Sequence, residues 1–111
     1  MRVLDPGHRY ALENLKGDGE TVIQFFKDAE IHGDGYDGPS CQEYHRALID
    51  RVQRLDAEKP FWGNHLIIQK SREIIAIFEM RALYYKVEKG ELEIEKLPIG
   101  EDGHIIIRDV A

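Results

Sequence analysis

The stretch from residue 40 to residue 87 constrains the chain most, because its apolar spacing demands two helices folded against each other by a short turn. Ser40 and Glu43 form a capping box directly after Pro39, so a helix is expected over about 40–58. Tyr44, Leu48, Val52 and Leu55 recur at steps of three and four and make its buried stripe. Pro60 stops it, and Phe61-Trp62-Gly63 makes the turn. A second helix is expected over about 64–88, closed by Gly90. Its apolar residues form two neighbouring stripes: Ile67, Ile74, Phe78 and Tyr85, and beside them Ile68, Ile75 and Ala82. A helix apolar over that much of its circumference is buried on more than one side. Tyr44, Leu48, Val52, Ile67, Ile74 and Phe78 are therefore expected between or beneath the helices, and the surplus points to a symmetric homodimer, with a thick monomer core as the alternative.

Before the hairpin the period changes to two. Tyr10, Leu12 and Leu15 share one face against Arg9, Ala11 and Glu13, which predicts a strand over about 8–15 after the Asp5-Pro6-Gly7 turn. Thr21 to Phe26 is β-branched and aromatic and predicts a second strand over about 21–27, across the Lys16-Gly17-Asp18-Gly19 loop. Residues 28–39 hold three glycines and three aspartates and read as a surface loop. Beyond Gly90, Leu92, Ile94 and Leu97 alternate with charges, and His104 to Arg108 is β-branched, so a short β-rich tail is expected over 90–111. The fold class is thus α+β in a single domain, 1–111: an N-terminal antiparallel β-hairpin, a long antiparallel helical hairpin, and a C-terminal tail.

Charge narrows the partners. A net charge of −6 disfavours any general attraction to DNA, RNA or an anionic membrane. No apolar run approaches the roughly 20 residues of a membrane span, and a lone Cys41 fits a reducing compartment, so a cytoplasmic protein is expected. The catalytic signals are thin. Cys41 and His45 lie four residues apart near a helix start, but no orienting carboxylate or oxyanion loop accompanies them. Asp34 and Asp37 among glycines lack the regular oxygen ladder of a calcium loop. The five histidines form no zinc pattern, and the glycine loop at 17–19 is no phosphate loop. No enzyme activity, metal or cofactor is expected.

The remaining signal is cationic and aromatic. Arg46, Arg51 and Arg54 on the first helix, and Lys70, Arg72, Arg81 and Lys86 on the second, are interleaved with Phe61, Trp62, Tyr84 and Tyr85. Guanidinium forks for phosphate and rings for a base are the chemistry that holds a nucleotide. Arg81 stands out among Phe78, Met80, Ala82, Tyr84 and Tyr85, where an idle charge is costly if buried.

The segments LDPGHRYAL, TVIQFFKD, ALIDRVQRLD, Pro60 to Asn64, and IIAIFEMRA resemble a family of small phage proteins, the Thoeris anti-defence sponges. Their helical hairpin is shared with phage proteins that sequester cyclic nucleotides. The resemblance spans most of residues 3–86. It implies a protein that binds a cyclised ADP-ribose signal without cleaving it, in pockets between the subunits of a homodimer or larger even oligomer. It implies ligand contacts from Asn64 at the connection and Arg81 some four turns later. The next arginine of the family pattern is Tyr85 here, with Lys86 beside it. Arg54 stands where the family tends to an aromatic, and Phe61 or Trp62 is the expected stacking ring. The competing expectation is a small homodimeric module that blocks a host protein.

Overall fold

The computed structural model describes residues 1–90, and the expected tail strands lie outside them. The chain divides between Cys41 and Gln42 into two compact units.

The first unit is a three-stranded antiparallel sheet in the order β1 (Arg2–Asp5), β2 (Arg9–Glu13), β3 (Glu20–Gln24). Two of these strands match the expected hairpin. The additional β1 went unforeseen because four residues ahead of a Pro-Gly turn are too short to display an alternation. The turn forms as its residues require: the His8 amide donates to the Asp5 carbonyl at 2.9 Å, and Gly7 takes a φ of 81°. Register aligns Val3, Tyr10 and Ile23 in one row and Arg2, Ala11 and Val22 in the next. Ala11 is buried, and Arg2 reaches Glu20 at 2.8 Å.

Residues 28–39 are more ordered than a plain loop. The Asp28 carboxylate accepts from the Glu30 amide and caps a single helical turn, α1 (Ala29–His32), closed by Gly33 at φ 83°. A bridge between Lys27 and Tyr36 then folds the segment back. Asp5 holds it there, because its carboxylate accepts from the Tyr36 hydroxyl at 2.7 Å and from Lys27 Nζ at 3.0 Å. The Arg9 guanidinium lies over the Tyr36 ring, 4.3 Å from its centre. Asp34 is 3.3 Å from Lys27 Nζ, and Asp37 accepts from the Gly38 amide, so both aspartates serve the loop itself.

The second unit carries the helical hairpin, α2 (Cys41–Glu58) and α3 (Gly63–Glu88), within one or two residues of expectation. The seam is formed on α3 by Asn64, Ile68, Ser71, Ile75, Phe78 and Ala82, a four-three repeat facing Val52 and its neighbours. Ser71 is buried at its middle. The burial expected for Leu48, Leu55, Ile67 and Ile74 is corrected: they keep 44%, 40%, 43% and 37% of their surface exposed. Periodicity locates two adjacent stripes but does not select which one meets the partner helix. Tyr44 and Phe78 are half-buried, and Val52 is buried as expected.

The Tyr36 hydroxyl and then the Lys27 ammonium hold the Asp5 carboxyl below its ordinary range. A carboxyl depressed on folding stabilises above its unfolded pKa, and that contribution is lost as pH falls through the lower folded value. The melting temperature of Asp5→Asn should therefore lie below that of the native chain at neutral pH, and the gap should narrow below about pH 4. A gap independent of pH across thermal melts would contradict the role given to the Asp5 charge.

Candidate functional site

The connection between the helices is built on Asp56. One carboxylate oxygen accepts from Asn64 Nδ2 at 2.8 Å and from the Phe61 amide at 3.2 Å, which ties the end of α2 to the start of α3. These two bonds, Asn64 first, hold the Asp56 carboxyl below its usual value. Gly63 is buried under the Phe61 ring, whose Cε2 lies where a side-chain Cβ would stand, so glycine suits the first position of α3. Phe61 and Trp62 sit side by side with ring centres 5.3 Å apart, and Trp62 is 76% exposed. Nothing in the sequence marks Asp56 for this role, because its partners lie five and eight positions on, outside any capping pattern.

At the far end of α3, Arg81 is exposed, and its guanidinium lies over the Tyr85 ring, 5.1 Å from the centre. The four-residue step that brings them together is the ordinary helical one. Neither carboxylate that could have claimed Arg81 does so. Glu79 accepts from Arg46 at 3.1 Å, and Glu73 takes Gln69 and Lys70 on its own helix. Among the described residues Arg81 has no ion pair. Ile77, Met80 and Tyr84 around it are also exposed, and the Tyr84 and Tyr85 rings meet edge to face at 5.6 Å.

These placements split the expected ligand set in two. Asn64 and Arg81 are seventeen positions apart on one straight element, a separation of ~25 Å. Phe61 and Trp62 belong to the Asn64 end, and Tyr85 to the Arg81 end. Arg54 is paired with Asp50 at 3.0 Å one turn back on α2. Lys86 is half-buried and lies about 140° around the helix from Arg81. A single chain therefore does not gather Asn64, Arg81 and the aromatics around one small molecule. One N–H of the Asn64 amide is also committed to Asp56, which leaves the second N–H and the carbonyl oxygen for a ligand.

Elsewhere on the hairpin, Cys41 is a free, half-buried thiol at the start of α2. His45 packs beside the Phe78 ring at 6.2 Å, and its Nδ1 is buried with no hydrogen-bond partner among the described residues. No helix among the described residues is long and apolar enough to cross a membrane. Comparison with protein-family models, characterised proteins and solved structures finds no match for this chain.

The two ends should respond differently to truncation. Asn64→Ala removes a clasp of the connection and should lower the melting temperature. Arg81→Ala, at an exposed site without an ion pair, should change stability by no more than about 0.5 kcal/mol. Thermal melts of both variants check this, and the opposite ranking would contradict the assignment.

Proposed function

We propose that this chain is a non-catalytic binding protein that sequesters a cyclic ADP-ribose-type or related cyclic nucleotide signal in the cytoplasm, as the resemblance to the phage anti-defence sponges implies. The observation that carries the reading is Arg81: an exposed guanidinium, unclaimed by any described carboxylate, laid over Tyr85 and ringed by apolar and aromatic side chains. A guanidinium fork without an ion pair among the described residues, beside exposed aromatic rings, is the pairing a nucleotide needs, and it requires no nucleophile or metal. Asn64 and Arg81 can act on one ligand when they come from different chains, which agrees with pockets at subunit contacts in a homodimer or larger even oligomer.

A second reading, a homodimeric module that blocks a host protein, is favoured by the exposed apolar side chains along the hairpin, Leu48, Leu55, Ile67 and Ile74 among them. The two separate on one experiment: mass spectrometry of small molecules released by heating protein purified from cells that make nucleotide immune signals. A stoichiometric cyclic nucleotide supports the sponge. Its absence, with a host protein retained instead, supports the blocker.

Arg81→Ala should weaken nucleotide binding by about 1.5–3 kcal/mol, roughly ten- to a hundredfold in affinity. Arg81→Lys should restore only part of it, because the planar fork is lost. Calorimetry with oligomeric mass checked alongside decides, and unchanged affinity in an intact assembly would defeat the assignment.

A further inference from the structure

We propose that Asp56 is a positioning residue that decides which hydrogen-bonding group the connection offers a ligand. It turns the Asn64 carboxamide so that the carbonyl oxygen faces outward, which selects a base carrying an amino group over one carrying a carbonyl in the same place. The inference deepens the proposed function by naming the base edge that is recognised. It rests on that reading for Asn64 being a ligand contact.

A carboxamide and its flipped form fill the same space, and their hydrogen-bond partners alone tell them apart. An ionised carboxylate accepts and never donates, so it admits one of the two forms. The nitrogen of Asn64 therefore faces Asp56, and Nδ2 donates to Asp56 Oδ1 at 2.8 Å. The flipped form would set Asn64 Oδ1 against that carboxylate, oxygen to oxygen, with neither able to donate.

Asp56 is itself held in place. The same Oδ1 accepts from the Phe61 amide at 3.2 Å, and a backbone N–H has no flipped form. The Phe61 amide thus orients Asp56, and Asp56 orients Asn64. The hydrogen bonds from Asn64 and then from Phe61 keep the carboxyl below its ordinary range, so at neutral pH it stays ionised and unable to donate. Asp56 belongs to the last turn of α2 and Asn64 to the first turn of α3, so the orientation is set across the hairpin.

With the nitrogen turned in, Oδ1 is the atom a ligand meets. Among the described residues the buried side-chain polar atom without a partner is His45 Nδ1, so Asn64 Oδ1, which accepts from none of them, opens to solvent. Exposed rings leave the same turn. The Asn64 amide donates to the Phe61 carbonyl at 3.0 Å, and the Phe61 and Trp62 side chains between them are 52% and 76% exposed. A ring stacks on any base, because every base has a π face, so stacking alone discriminates little. The outward oxygen does discriminate. The 6-amino group of adenine donates to it, whereas the 6-oxo group of hypoxanthine brings a second acceptor against it. A site built to hydrogen-bond one group rejects the analogue that leaves it unpaired.

The orientation is tested on the ligand-free full chain. One Asn64 side-chain N–H should exchange with water more slowly in NMR spectra than those of Gln53, which is exposed on α2. Asp56→Asn should keep that protection, because the Phe61 amide still draws its Oδ1 to the same place. Asp56→Ala should abolish it, and protection that survives this change would overturn the proposal.

Selectivity is read by calorimetry with cyclic ADP-ribose and its hypoxanthine counterpart, cyclic inosine diphosphate ribose. The native chain and Asp56→Asn should prefer the adenine form by about tenfold or more. Asp56→Ala, which admits both amide forms, should lose most of that preference. Asp56→Ser, whose hydroxyl accepts from one form and donates to the other, should behave alike and serves if Asp56→Ala loses helical circular dichroism. A purely structural role for Asp56 weakens both nucleotides equally and leaves their ratio unchanged, which would overturn the proposal. Equal native affinity for the two overturns it as well and leaves the sponge reading standing. Binding of neither, with Asn64 still protected, defeats the sponge reading and with it the ligand half of this inference.

Discussion

Everything distinctive about this chain follows from one mismatch: α3 carries two apolar stripes, and α2 covers only one of them. The covered stripe, from Asn64 through Ser71 to Ala82, gives the hairpin its seam. The other, on Ile67 and Ile74, continues through Arg81, so the same rotation around the helix that exposes isoleucine also exposes the guanidinium. Apolar surface left in water at about 25 cal/mol per Å² is a standing drive toward association. The proposed ligand contact and the proposed subunit contact therefore share one surface.

The local clasps matter because the core is thin. Asp56 fixes the connection through Asn64 and the Phe61 amide, and without it the two helices would be joined by a bare four-residue link, 59–62. Asp5 does comparable work in the first unit, where a single carboxylate gathers Lys27 and Tyr36 from a glycine-rich segment that would otherwise have little to hold it. In both cases the carboxylate accepts two hydrogen bonds, and in both the negative charge strengthens them.

The legible parts of the fold were those with a long period. Both helices could be placed from Ser40, Pro60 and the three-four spacing, and β2 and β3 from alternation around a glycine loop. β1 and the single turn α1 were not, because four residues are too few to show a period and each depends on a partner supplied from elsewhere. The candidate site was legible in its residue types but not in its assembly. Arg81 with Tyr85 is a step of four and can be read directly. The ~25 Å between Arg81 and Asn64 follows just as directly from helical rise, and it is too long for one small molecule on one chain. The Asn64–Asp56 bond crosses a turn and had no sequence signature at all.

The central claim, that the second stripe of α3 is covered when the protein is assembled, is tested most directly by hydroxyl-radical footprinting of the native protein at assembling concentration. Ile31, which is 74% exposed on α1, and Ile68, half-buried in the hairpin seam, supply the open and the shielded references within the same chain. Ile67 and Ile74 should be modified as slowly as Ile68, and should approach Ile31 only on dilution. Modification of Ile67 and Ile74 at an unchanging intermediate rate, whatever the concentration, would contradict the account.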